Sequence, residues 1–171
     1  MLLTPLKSLS LCLALLAGSA IAADAVTSPA AANTVLTGKV HLYKQKKDTG
    51  EWPHDCTITF EAGGAEQEID LHDDSYGCTN DDDYGFKIEN APSAALISFH
   101  SADNCGNGGD FYVGVKTIKN PTTMVEPMGF SQALSYSPGE ILVPGVQLTH
   151  SGGSKPNGTL SCVWIRPSPL P

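Results

Sequence analysis

The chain has 171 residues, with 18 Asp and Glu against 10 Lys and Arg, a formal charge of -8 at pH 7. That balance argues against nucleic acid and against an anionic membrane surface as partners, since both select for basic protein faces. It favours a basic protein, a metal cation or simple solvation as the balancing charge, on a chain long enough for one domain with a real core.

Met1 to Ala22 carries the marks of a secretory signal. Lys7 supplies the basic start, Leu9 to Ala17 the apolar run, and Ala20-Ile21-Ala22 a small-x-small site, so cleavage before Ala23 is expected. The apolar run is too short for a membrane anchor, and no membrane insertion is expected. Lys7 is the single base in that segment, so 18 acids would face 9 bases after cleavage. The expected division is a signal over 1–22, a flexible Ala/Ser/Thr/Pro lead-in over 23–34, one domain over 35–166 and a proline-rich tail over 167–171. The expected address is periplasmic or extracellular.

Four cysteines remain beyond the signal, Cys56, Cys78, Cys105 and Cys162. An even number in an exported chain points to two disulfides. Of the three pairings, Cys56 with Cys78 and Cys105 with Cys162 is preferred. The first would staple the base of the acidic segment, and the second would tie the last strand to the middle of the domain. Four thiolates on zinc would call for a Cys-x-x-Cys pair, and there is none.

In chain order, Gly38 to Lys44 alternates as a first strand, with Val40 and Leu42 on one face. Lys44 to Gly50 is a charged turn, and Pro53 excludes a central strand position. Cys56 to Phe60 alternates with Cys56, Ile58 and Phe60 inward. Gly63-Gly64 turns, Glu66 to Leu71 points Ile69 and Leu71 inward, and Asp73 to Asp83 is loop by composition. Strands follow over Tyr84 to Glu89, Ala94 to His100 and Phe111 to Ile118. Met124, Val125 and Met128 are expected to pack as a turn of helix or an irregular segment, because Pro127 and Gly129 argue against anything long. Ser131 to Ser137 reads as a short strand. Ile141 to Val143 and Val146 to Thr149 bracket the Pro144-Gly145 turn, and Thr159 to Ile165 is the last strand. Short strands with Gly and Pro at the joints, and no helical stripe, predict an all-β fold: a compact sandwich or barrel-like domain of short antiparallel strands stapled by two disulfides.

The stretch from Glu66 to Asp83 holds eight acids in 18 residues and no base. It is poor core material and repels itself, so its carboxylates are expected on a solvated surface. Hard oxygen ligands of this kind suit calcium, with Asn80, Asp81 and Asp83 as the candidate metal set. The stretch Asn80-Asp81-Asp82-Asp83-Tyr84-Gly85-Phe86-Lys87-Ile88 resembles the calcium loop and following strand of βγ-crystallin domains, and Val40-His41-Leu42-Tyr43 resembles that family's opening strand. The resemblance matches Asn80 and Asp81 to the leading Asn/Asp pair; Tyr84 and Gly85 stand where the family has hydroxyls. It implies a calcium-stabilised β domain.

No catalytic set is legible. The five histidines lie in no His-Glu-x-x-His pattern, no Gly-x-Ser-x-Gly elbow surrounds a serine, and there is no phosphate loop or dinucleotide fingerprint. The expectation is therefore a protein that works by contact and is not an enzyme. An acidic surface steers basic partners. An inhibitor or immunity protein occluding a basic exported toxin or cell-wall hydrolase fits that profile. The candidate contact residues are Trp52, Asp73, Asp74, Tyr76, Asp103, Asn104, Asn107, Asp110 and Tyr112, with the Gly-rich Asp103 to Asp110 loop as the inserting element. The alternative is a calcium-stabilised βγ-crystallin-like module or a carbohydrate-binding module, the latter displaying Trp52, Tyr76, Tyr84 or Tyr112 on one flat face towards a glycan.

Overall fold

The computed structural model describes residues 35–169. The expected signal, the lead-in and the last two residues of the tail lie outside the described residues.

Ten antiparallel strands form two sheets. The smaller has the order β2 (His54–Glu61), β1 (Thr37–Tyr43), β4 (Gly85–Glu89), β7 (Met128–Gly129). The larger has the order β3 (Gln67–Asp70), β10 (Cys162–Arg166), β5 (Leu96–His100), β6 (Phe111–Thr117), β9 (Val146–Gly153), β8 (Ile141–Val143). Neither sheet closes on itself, so of the two expected architectures the sandwich is the one found.

Alternation decides which side chains meet between the sheets. Val40 and Leu42 of β1, Ile58 and Phe60 of β2, and Phe86 and Ile88 of β4 are buried from one side; Ile97, Phe99, Phe111, Val113, Val163 and Ile165 are buried from the other. Phe86 and Phe99 face each other across the sandwich with ring centroids 4.6 Å apart. Phe130 packs against both and against Phe111, at 5.6, 5.2 and 5.2 Å. Each such fully buried side chain contributes about 1.5–3 kcal/mol by leaving water.

Phe130 belongs to the segment that departs from expectation. Ser131 to Ser137 is not a strand. The chain makes one helical turn, α1 (Phe130–Ala133), then tightens through Leu134, Ser135 and Tyr136 N–H bonds to the carbonyls of Phe130, Gln132 and Ala133. Phe130 and Ala133 are both fully buried, and residues three apart share a face only in a helical turn. Val125 also differs from its expected packing: it is 85% exposed, while Met124 and Met128 are buried. Two strands start two or more residues later than expected. Ala94 takes a left-handed φ of 63° and its N–H bonds Thr117 O, so β5 begins at Leu96. Leu160 and Ser161 spend their carbonyls on the N–H groups of Asp81 and Leu71, so β10 begins at Cys162.

Both preferred disulfides are present, Cys56–Cys78 and Cys105–Cys162. At the far end, the Ser168 carbonyl accepts from Gly63 N–H and Ser168 is buried, so the packed body runs two residues past Arg166.

Candidate functional site

The strand registers place four connections at one end of the sandwich. Asp70, Cys162, His100, Tyr112 and Gly152 lie in one cross-strand row, each at the mouth of its strand. Tyr43, His54, Gly85 and Gly129 do the same in the smaller sheet. The β1–β2, β3–β4, β5–β6 and β9–β10 connections therefore emerge together. They carry all the expected contact residues except Tyr112, which sits at the start of β6. Both disulfides act here. Cys56–Cys78 fastens the β3–β4 connection to β2, and Cys105–Cys162 fastens the β5–β6 connection to β10.

His72 joins the two acidic connections. Its Nδ1 lies 3.1 Å from Asp70 Oδ1 and 3.7 Å from Asp103 Oδ1, and its Nε2 lies 3.1 Å from Asn80 Nδ2. The Asp70 carboxylate also accepts from His72 N–H, which holds its pKa below the ordinary value. Asn80 passes the network to Asp81 (2.9 Å), whose other oxygen accepts from Ser161 Oγ (3.0 Å) on the β9–β10 connection. Asp73 is exposed and caps its own turn by accepting from Ser75 N–H. Residues Asp74–Tyr76 form a single 3-10 turn that leaves Tyr76 40% exposed. Asn104 accepts from Gly106 N–H, and Asn104, Asn107 and Asp110 are exposed.

Beneath that surface is a charged cluster that overturns one expectation. Asp83 is not solvated: it is fully buried, and neither of its oxygens has a hydrogen-bond partner. Burial, then the neighbouring carboxylates of Asp55 and Asp82, push its pKa up to about 8, against the opposing charge of Lys44. Around it, Lys44 Nζ reaches Asp82 Oδ2 at 2.7 Å and Asp55 Oδ1 at 3.3 Å. Asp55 also accepts from Thr79 N–H at 2.6 Å and from Thr79 Oγ1 at 2.9 Å. The bonds to Asp82 and Asp55 raise the Lys44 pKa. Asn80 Oδ1 is likewise buried without a partner. No group of three or more His, Cys, Asp or Glu side chains among the described residues is arranged to hold a metal ion.

The aromatic candidates do not share a face. Trp52 is half-buried over Gly85 and Gly129 at the smaller sheet, with Lys46 Nζ 5.8 Å from its ring centroid. Tyr112 lies on the outer face of the larger sheet, beside His100 and His150 at 6.4 and 5.9 Å. Burial lowers the pKa of both histidines, and His100 Nδ1 lies 3.1 Å from Gly106 O of the β5–β6 connection. A cleft of about 360 Å3 opens beside Met124, Val125, Pro127, Met128, Val143 and Pro144. Its only ionisable lining residue is Glu126.

Asp83 has the raised pKa a general acid needs, but a fully buried group cannot reach a substrate. Compared with family models, curated proteins and solved structures, the chain matches none.

Proposed function

We propose that this chain is an exported acidic protein-binding domain, an inhibitor or immunity protein that occludes a basic toxin or cell-wall hydrolase by surface contact rather than by catalysis. The observation that carries the reading is that both disulfides serve one end of the sandwich, where each holds an acidic connection, and that His72 ties those two connections to each other. Rigid loops lose little freedom on binding, so more of the contact energy appears as affinity. Exposed carboxylates on them steer a cationic partner. Tyr76, exposed among those acids, is the aromatic anchor such a contact would use.

The test is a binding screen of the domain starting at Ala23 against basic exported toxins and cell-wall hydrolases, with rates measured at two salt concentrations. One partner should bind with an on-rate that falls steeply with salt. Replacing Asp73 and Asp103 by Lys should slow association at least tenfold at low salt, with only a small fall in melting temperature from the lost Ser75 cap and His72 contact, both exposed. Binding that ignores both salt and these replacements rejects the reading.

A second reading has its own support. Asn80 and Asp83 hold three buried oxygens without partners, and an orphaned buried oxygen costs several kcal/mol unless a proton or a cation compensates it. A calcium-stabilised module, in keeping with the βγ-crystallin likeness of residues 80–88, would use these oxygens with backbone carbonyls and water. It predicts a melting temperature that rises with calcium and falls with chelator, and an Asp83→Asn variant that no longer responds.

A further inference from the structure

The outer face of the smaller sheet gathers four side chains that lie far apart in sequence. His41 projects from β1, His54 and Thr57 from β2, and Glu89 from β4. His41 Nε2 is 3.1 Å from Glu89 Oε2, and His41 Nδ1 is 2.9 Å from Thr57 Oγ1. His54 Nε2 lies 2.9 Å from the same Thr57 oxygen. Lys39 Nζ, 3.1 Å from Glu89 Oε1, holds the Glu89 carboxylate ionised by its hydrogen bond and its charge.

Counting protons fixes each role. An ionised carboxylate only accepts, so His41 Nε2 carries the proton it donates to Glu89. The neutral ring with its proton on Nε2 has a lone pair on Nδ1, which faces Thr57 Oγ1. The Thr57 hydroxyl donates to that lone pair. His54 Nε2 must then be the donor to Thr57. Two imidazoles therefore aim a nitrogen each at one point, and the first has its far nitrogen fixed by a carboxylate. That is how proteins orient a metal-binding histidine. The rings are also braced: His54 packs edge-on against His41 at 5.7 Å and against Tyr43 at 5.6 Å.

We propose that His41 Nδ1 and His54 Nε2 form a two-histidine site for a late first-row divalent cation of the zinc, nickel and copper class. The ion takes the place now held by the Thr57 hydroxyl, water fills its remaining positions, and Glu89 is the positioning residue behind His41. Neutral imidazole suits this class of ion and not calcium. His54 is exposed, so it can carry its proton on Nδ1 and present Nε2. Two protein ligands make an open site that binds more weakly than a closed one of four. This site lies on a different face from the acidic loops and does not depend on what they bind.

Zinc titrated calorimetrically into the full chain at pH 7.5 tests it, with the histidine side-chain nitrogens followed by NMR. The His41 and His54 resonances should shift together on adding zinc. His54→Gln should weaken the binding at least tenfold; His54 is exposed, and an unchanged melting temperature would show that the fold is intact. Glu89→Gln should weaken it about tenfold by freeing the His41 ring. Thr57→Val should leave it unchanged or tighter. His72→Gln and His150→Gln should bind as the parent does. Absence of zinc binding, or binding that survives His54→Gln, overturns the proposal; so does binding lost instead in the His72 or His150 variant.

Discussion

His72 and Asp103 meet at 3.7 Å across the gap between two connections that leave different strands. Each connection is covalently fastened just beyond the meeting point, one at Cys78 and the other at Cys105. These two connections are thus each held by sulfur and joined to one another by an exposed polar bridge. A partner docking there would find its contact residues already placed.

The two disulfides should not be equal. The Cys105–Cys162 bridge spans 57 residues and Cys56–Cys78 spans 22. In the chain-entropy account the longer loop is worth about 4 kcal/mol and the shorter about 3 kcal/mol. Replacing both members of a pair by Ala should therefore lower stability more for Cys105/Cys162 than for Cys56/Cys78 in urea unfolding. Amide exchange should quicken in residues 101–110 for the first variant and in residues 71–83 for the second. The reverse ranking of stabilities would mean that native-state packing, not loop length, sets the difference.

Asp83 predicts a pH dependence of unusual sign. Its folded pKa, about 8, lies above the ordinary 3.8. Between those values the folded protein holds a proton that the unfolded chain has released. Stability contributed by this group therefore falls as pH rises through the window and levels off above pH 8. The slope is about 1.4 kcal/mol per pH unit, on the order of 6 kcal/mol across the window. Asp83→Asn keeps the shape without the ionisation. Without added metal, it should flatten the profile between pH 5 and 8 and unfold at higher urea than the parent at pH 7.5. A parent profile that rises over this range would show that a cation or a structural rearrangement compensates the charge.

Alternation and cysteine parity made most of the fold legible. Cys56, Ile58 and Phe60, or Phe111, Val113 and Val115, announce their buried face by period alone, and the four cysteines beyond the expected signal point by their even number to two bridges. What was not legible depends on register between distant strands. Asp83 sits in a run of acids that composition assigns to water. It is buried beside the linked side chains of Lys44, Asp55 and Thr79, and those come from the β1–β2 connection, β2 and the disulfide-held connection. His41 and Glu89 are 48 residues apart and meet only because β1 pairs with β4 so that Lys39 opposes Glu89 and His41 opposes Lys87. Neither a motif nor a spacing carries that information. Phe130 was hidden for a local reason: its neighbours Pro127 and Gly129 signal irregular chain, and one helical turn is too short to show a period.

Phe130 is the aromatic whose loss should be felt most widely. It contacts Phe86 of the smaller sheet and Phe99 and Phe111 of the larger, and it is fully buried. Phe130→Ala opens a cavity between the sheets, with an expected loss of about 3–5 kcal/mol. Phe130→Leu should recover more than half of it. Urea unfolding gives both numbers. A loss under 1 kcal/mol would mean that α1 is able to collapse into the space.

Gly85 carries the last prediction. A Cβ there would stand 2.7 Å from the Met128 carbonyl and 2.9 Å from the Trp52 ring. The backbone carbonyl belongs to β7, the edge strand that pairs with β4 through Gly85 and Phe86. Gly85→Ala must therefore push β7 away or unseat Trp52, at an expected cost of about 1–3 kcal/mol. The two responses separate by measurement. If Trp52 moves, the tryptophan emission of the folded variant shifts to the red while the amide of Phe130, which donates to the Tyr84 carbonyl, stays protected. If β7 moves, the amide of Phe130 exchanges faster and the emission holds. Gly129→Ala meets Trp52 at 3.3 Å and no backbone closer than 3.7 Å, so it should give the emission change at less loss of stability. Equal losses for the two variants would place the strain in the indole ring and not in the β4–β7 pairing.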